Sequence, residues 1–274
     1  MSIRRILAAG VALVASGAAL AADRVPMAAH RATYDLSLSD SRGSKGVDSA
    51  RGRIVFEFTG SACEGYALTF RQVTELSGGE LGTRLSDMRS TTFEEADGSS
   101  LRFNTESRMG PGRPMATDGS AERKPGVGIV IRLKKPATTR KDVSGEIVFP
   151  TEQIRLLIEA ARAGKPTLEV KIFDGSETGQ KVYDTFAVIG KESRGGEGVE
   201  ESVRQAGWGD MPRWPVSVSY FENGQRDAQQ PLYTIAFDLL ENGVSRNLRL
   251  DYGDFSLKGQ LTRLDALKTA ECDK

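Results

Sequence analysis

Two cysteines constrain this chain more than any other feature. Cys63 sits in the glycine-bounded stretch Gly60-Ser61-Ala62-Cys63-Glu64-Gly65-Tyr66, and Cys272 stands in Glu271-Cys272-Asp273-Lys274, the last four residues. If they bond, a separation of 272 minus 63, or 209, encloses most of the chain in one covalent loop. Two cysteines allow one intramolecular connectivity. Their Cα atoms would then lie about 5.5 Å apart, so an early turn and the chain end must be spatial neighbours. The loop-entropy model puts such a closure at about 5 kcal/mol, an upper figure because residual denatured-state structure lowers it. The alternative is two unpaired or intermolecular thiols.

Compartment bears on that choice. Arg4 and Arg5 make a basic n-region, residues 6–20 are apolar or small without charge, and Ala19-Leu20-Ala21 fits a small-x-small cleavage site. The sequence predicts a cleaved signal peptide over 1–21 and a mature domain over 22–274. A membrane anchor is the competing reading, but the run is shorter than the ~20 residues needed to span and is diluted by Gly and Ala. No cysteine near the cleavage site would accept a lipid, and no later stretch is apolar enough to span, so the mature chain is expected to be exported and not membrane-spanning. A bacterial periplasm is the predicted destination, where disulfides persist. Removing 21 residues from 274 leaves 253, with 35 Lys+Arg against 37 Asp+Glu, a formal charge of −2. That balance argues against nucleic acid or an anionic membrane surface as the main partner.

The rest reads as strands. Period-two alternation places Tyr34, Leu36 and Leu38 on one face of residues 29–38, and Ile54, Phe56 and Phe58 on one face of the next strand. Tyr66, Leu68 and Phe70 continue after the Cys63 turn, which makes a hairpin. Further strands are predicted at 85–95, 101–107, 127–133, 168–173, 181–189, 216–221, 233–241, 245–252 and 255–264, and 147–149 is a short apolar run ending at Pro150. Asp97-Gly98, Asp174-Gly175, Asn223-Gly224 and Asn242-Gly243 supply turn chemistry. The region of Asp118-Gly119, Pro111 and Pro114 reads as a loose connection, residues 39–50 as an exposed loop, and 192–201 as a mobile one. The one predicted helix, 151–163, places Ile154, Leu157, Ile158 and Ala161 at helical spacing, with Thr151 as its cap and Gly164 and Pro166 as its stop. A helix so short should plug or cover an open end of a sheet. No repeat or composition break divides the chain. About a dozen strands and one short helix predict an all-β fold, a large antiparallel barrel or strongly curled sheet, with room for a partly polar hollow.

Catalytic constellations are sparse. The single histidine, His30, would have to serve any triad, and a histidine near the mature terminus is expected to be structural or exposed. With both thiols bonded, neither a cysteine nucleophile nor cysteine-based zinc is available. Glycines at 43–46 and 78–82 lack the strand–helix context of a phosphate loop. Glu57 and Asp238 could point into a hollow as a glycosidase-like pair, although solvation on the outer face explains them as well. Arg71 with Gln72, and Arg246, Arg249 and Asp251, could line a polar groove or simply alternate on a surface. Trp208 and Trp214, around Met211-Pro212-Arg213, suggest an aromatic platform for a glycan or lipid; core packing before the Pro215 strand explains Trp214 better.

The stretch from Arg51-Gly52-Arg53-Ile54-Val55-Phe56-Glu57-Phe58 through the Cys63 turn resembles the start of the cell envelope integrity protein EipB family. So do Arg89-Ser90-Thr91-Thr92-Phe93-Glu94, Val148-Phe149-Pro150-Thr151-Glu152, residues 168–176, Arg213-Trp214-Pro215 through Phe221, and residues 242–255. These motifs run in order over nearly the whole mature chain. The resemblance implies a periplasmic protein of alphaproteobacteria that supports envelope integrity. It implies a spiral-like, incompletely closed β-barrel, and a disulfide joining an early turn to the C-terminus, which Cys63 and Cys272 match. It also implies a functional link to periplasmic tetratricopeptide-repeat proteins. The family carries no known active site, so the resemblance assigns no catalytic, metal or cofactor residue, and no ligand-binding residue either.

The expected function is therefore that of a non-catalytic envelope protein acting through protein partners. A binder or carrier of an amphipathic envelope lipid or glycan comes second, and an envelope glycan hydrolase third. If the disulfide joins the first and last parts of the sheet, it should clamp the two margins of an incompletely closed barrel.

Overall fold

The structure is a computed structural model that describes residues 25–42, 46–79, 82–196, 198–224, 230–269 and 272. The predicted signal peptide, 1–21, lies outside the described residues. Among the described residues, fifteen strands join in one sheet. Numbered in chain order, they run from one margin to the other as β8 (Thr139–Ser144), β7 (Gly128–Lys135), β6 (Met115–Lys124), β5 (Ser100–Met109), β4 (Gly82–Glu94), β3 (Gly65–Gly78), β2 (Ser49–Ser61), β1 (His30–Ser41), β15 (Phe255–Ala266), β14 (Ser245–Asp251), β13 (Tyr233–Leu240), β12 (Arg213–Glu222), β11 (Tyr183–Ile189), β10 (Thr167–Ile172) and β9 (Ile147–Val148). Every neighbouring pair is antiparallel except β9 and β10, which run parallel. The large antiparallel sheet expected from sequence is thus observed, with a two-residue parallel pairing at one margin.

The margins explain why the sheet curls. Laid flat at ~4.8 Å per strand, fifteen strands would span about 67 Å. Yet the marginal strands β8 and β9 are consecutive in sequence, linked by Gly145 and Glu146. Three Cα steps reach only about 11 Å, so the sheet must wrap until its margins meet. No ladder joins β8 to β10 among the described residues. The barrel is incompletely closed, and one extended segment leaves the β7 side of this seam to finish beside β10.

The chain ends are elsewhere. β1 pairs with β15, His30 opposite Ala266, near the middle of the sheet. The disulfide therefore cannot clamp the sheet margins, and that expectation is overturned. It falls on the strands where the chain begins and ends, while the sheet opens between strands from the chain's middle.

Alternation decides which face is inside. Ala32, Tyr34 and Leu36 of β1 are buried, as are Ile54 and Phe58 of β2 and Leu257 and Leu261 of β15. Among the described residues, three apolar clusters form the core. One packs β11–β13 against helix α1 (Pro150–Arg162) through Leu157, Ile158 and Ala161. The second packs β1, β2, β14 and β15 against Val199 and against Val203 of a second helix, α2 (Glu201–Gln205). The third joins β5–β7 to Phe149 and Phe173. At roughly 1.5–3 kcal/mol per fully buried large apolar side chain, these clusters outweigh any single polar contact in holding the wrap.

The seam is bridged from inside. The connection between β10 and β11 crosses onto the inner face of β5 and β6, where Thr117 Oγ1 donates to the Glu177 carbonyl at 2.9 Å and the Phe103 and Phe173 rings meet at 5.5 Å. Gly175 has a φ of +71°, and a Cβ there would lie 2.4 Å from Phe103, so glycine alone permits this approach.

Other expectations change. The stretch read as a mobile loop, 192–201, runs into α2 at Glu201 and bridges Ser193 to Arg213. Asp118 and Gly119 belong to strand β6, because Gly119 passes so close to β7 that a Cβ would lie 2.5 Å from the Arg132 carbonyl oxygen. Thr151 does not cap α1. Pro150 opens the helix, where its missing N–H costs nothing, and Phe149 at the N-cap offers no side-chain cap.

Candidate functional site

A large concavity follows the seam. It is a groove of about 1410 Å³ between the β6–β7 turn, the β8–β9 link, the first half of α1, and β10–β11. Its walls are mixed. Ile147, Val148, Leu156 and Phe186 supply apolar surface, and Arg123, Glu146, Glu169 and Lys171 supply charge. Phe186 is 37% exposed and Val127 is 64% exposed.

The groove keeps its shape because α1 is anchored from across the seam. Glu94, at the end of β4, points inward with 4% exposure. Its carboxylate accepts the Thr151 N–H at 2.8 Å and the Glu152 N–H at 3.1 Å, two of the amides that a helix start leaves unpaired. Burial pushes this carboxyl up to about 7, while the bonds from Thr151 and Glu152 pull it down. Arg123 of β6 pairs with Glu152 and donates to the Ile147 carbonyl at 3.1 Å, and its guanidinium stands 5.4 Å from the centre of the Phe149 ring. Sequence reasoning missed Glu94 and Arg123. Nothing local marks either as a helix anchor, since their partners lie 57 and 29 residues away.

The residues singled out from sequence do not converge. Glu57 points outward to Arg31, whose Nε donates at 2.6 Å. Asp238 accepts from Arg246 Nη1 at 2.7 Å. β2 and β13 are four inter-strand spacings apart in the sheet, about 19 Å along its surface, far beyond the ~5–9.5 Å that paired carboxylates need for glycoside hydrolysis. Arg71 pairs with Asp87 at 2.9–3.0 Å on the outer face. Gln72 faces inward and donates to Thr74 Oγ1 at 3.2 Å. Arg249 is exposed, and Asp251 accepts from Arg42 at 3.3 Å. Trp214 is 3% exposed in the core, and Trp208 packs half-buried against the second cluster, so the two form no joint platform.

Arg246 is the densest polar centre. It is 7% exposed, and its guanidinium reaches the Glu200 carboxylate, Asp238 and the Gly198 carbonyl at 2.5–2.7 Å. These contacts pin the segment entering α2 to β13 and β14. Tyr34 donates to the Ser245 carbonyl at 2.6 Å, and burial with Glu200 nearby pushes its hydroxyl up. His30 is buried at 3% exposure, stacked on Phe56 at 5.4 Å and beside Phe58 at 6.0 Å. Its Nδ1–H donates to the Ala28 carbonyl at 2.7 Å. Burial lowers its pKa and that bond raises it, burial being the larger effect.

The inner face of β3–β6 is polar along part of its width. There Gln72, Thr74, Ser90, Thr105 and Thr117 form a polar band, with Ser90 and Thr105 hydroxyls 3.1 Å apart. Half-buried Phe56 and Phe70 border it. Among the described residues, no group of three or more His, Cys, Asp or Glu could hold a metal ion, and no helix is long and apolar enough to cross a membrane.

A family model described as EipB-like matches residues 21–268. The cell envelope integrity protein EipB of Brucella abortus (strain 2308) is 37% identical over 242 residues, 88% of this chain and 85% of that protein. The crystal structure of a beta-barrel-like protein of domain of unknown function DUF1849, also from Brucella abortus, superposes with a TM-score of 0.81 at 36% identity, covering 89% of this chain and 100% of that one.

Proposed function

Since this chain belongs to the EipB-like family, we propose that it is a non-catalytic periplasmic protein that supports the integrity of the cell envelope by engaging protein partners. The observation that carries the reading is 37% identity, over 88% of the chain, to a protein named for envelope integrity. The side chains favour a binding role over chemistry. The one histidine is buried against two phenylalanines, and the candidate carboxylates are each held by their own arginine. The seam groove offers mixed apolar and charged walls suited to a polypeptide, and a tetratricopeptide-repeat protein of the same compartment is one candidate partner. The test is a deletion strain plated on deoxycholate or sodium dodecyl sulfate, with the gene restored on a plasmid. Loss of plating that the plasmid reverses supports the reading; plating equal to the parent overturns it. N-terminal sequencing of protein from an osmotic-shock fraction should begin at Ala22, and a start at Met1 would overturn the periplasmic assignment.

A second reading has its own observation. The polar band beside half-buried Phe56 and Phe70 suits an amphipathic lipid or glycan. Native mass spectrometry of protein taken from the periplasm would show a bound mass if it holds one.

A further inference from the structure

We propose that the uncovered edge of β10, inside the seam groove, is a docking site for an extended peptide segment of a partner protein, one that alternates apolar residues and carries a basic side chain. This rests on the partner-mediated reading above and names where and how a partner is held.

The edge can be read from the ladder. Ile189 N–H donates to the Pro166 carbonyl at 2.8 Å, and the pairing of β10 with β11 continues from Thr167–Val188 to Ile172–Tyr183. Hydrogen-bonded pairs alternate in an antiparallel ladder. Leu168 and Val170 therefore aim their backbone groups at β11, and Thr167 and Glu169 aim theirs at the opposite edge. The Phe173 N–H, which donates to the Val148 carbonyl at 3.0 Å, shows the same parity. β9 covers this edge only at Lys171 and Ile172. Among the described residues, the outward N–H and C=O of Thr167 and Glu169 have no partner. A strand of two residues already lies here, in parallel, and the ladder it begins continues unfilled.

The two sheet margins differ in how they meet water. β8 presents exposed Arg140, Lys141 and Asp142, with Arg140 and Asp142 paired at 3.1 Å. Charge of this kind guards an edge against added strands. The β10 edge instead opens into a groove with Phe186 and Val127 exposed on either side. An added strand gains affinity from main-chain bonds and specificity from side chains that alternate over such walls. Charge selects the sequence. Arg123 is paired with Glu152, Lys171 with Asp184 and Lys124 with Glu122. Glu146 and Glu169 have no ion pair among the described residues, so the groove carries uncompensated negative charge beside the free edge.

The test uses the purified mature protein and a fluorescein-labelled peptide, acetyl-Lys-Val-Thr-Val-Lys-Val-Thr-amide, titrated by anisotropy. Binding is expected with a Kd between roughly 10 μM and 1 mM, since a few net hydrogen bonds and a small apolar contact supply it. Glu169→Pro removes an N–H that faces away from β11, a position where an edge strand accepts proline. It should weaken binding about tenfold or more. Glu169→Gln keeps the backbone and should cost only about two- to threefold, less in high salt. If Glu169→Pro lowers the melting temperature, the peptide N-methylated at alternate residues tests the same bonds without altering the protein, and it should not bind. Amide exchange at Thr167 and Glu169 should slow on addition of the unmodified peptide. Absence of binding at 1 mM, equal affinity of the N-methylated peptide, or protection confined to the inner face would overturn the site. Because binding is read on isolated protein, such a failure leaves the envelope role to its own genetic test.

Discussion

The Cα atoms of Cys63 and Cys272 lie 5.8 Å apart across a disulfide, yet the strands that lead to them are not neighbours. Cys63 is in the turn between β2 and β3, Cys272 follows β15, and β1 runs between β2 and β15. The bond therefore straps together the strands with which the chain begins and ends. Reducing it should accelerate amide exchange at the tips of β2, β3 and β15 and leave β10 and β11 unchanged. The double variant Cys63→Ser, Cys272→Ser should melt lower, by no more than the ~5 kcal/mol of the loop-entropy limit, and keep its β-sheet circular dichroism. Faster exchange spread evenly over all strands would contradict this.

Glu94 should prove to be the cap of α1. Glu94→Ala leaves two helix amides without their acceptor and should cost about 1–2 kcal/mol, with α1 loosening first in hydrogen exchange. A pH signature follows. The folded protein holds the Glu94 proton more tightly than the unfolded chain, about 7 against 4.5. Its favourable contribution is full below about 4.5 and is lost as pH rises through about 7. The difference in denaturant midpoint between the parent and Glu94→Gln should change between these limits, the parent losing ground as pH rises.

His30 should act with the opposite sign. Its folded pKa lies below the ordinary 6.5, so the unfolded chain binds the proton more readily. Its contribution is present above 6.5 and is lost as pH falls through the lowered folded value. His30→Phe keeps the stack on Phe56 and removes the titration. The stability difference between parent and variant should shift in favour of the variant below pH 6.5, and a pH-independent difference would refute a buried neutral imidazole.

Arg246→Met should be the most damaging single change outside the apolar clusters. It leaves Glu200 and Asp238 as half-buried carboxylates without their cation, a loss of about 3–5 kcal/mol for a broken buried pair. Hydrogen exchange should rise first in residues 198–208, which the guanidinium holds. Intact protection of α2 in the variant would show that apolar packing of Val199 and Val203 suffices.

Sequence alone determined the locally encoded parts of this protein. Tyr34-x-Leu36, Ile54-x-Phe56-x-Phe58 and Val216-x-Val218 alternate because each strand buries one face, and that period is visible without knowing what lies opposite. The Cys63 hairpin, the α1 helix and the Asn242-Gly243 turn were legible for the same reason. β6 and β8 were not. Thr117, Gly119 and Ala121 line an inner face too tight for large side chains, and β8 is a charged margin strand, so neither shows an apolar stripe. α2 has five residues, too few to nucleate alone, and exists because Val203 is buried.

Where the sheet opens is set by contacts between distant parts of the chain. Alternation specifies which face is inside but not which strands meet, so the pairing of β1 with β15 and the seam between β8 and β10 emerge from the wrap as a whole. The same holds for the site. Glu94, Arg123 and Glu152 acquire their roles from contacts across the seam, and the free edge of β10 exists because β9 pairs with only two of its residues. Hydrogen-bonding need is a property of what a strand lacks on one side, and that is set by neighbours far away in the chain.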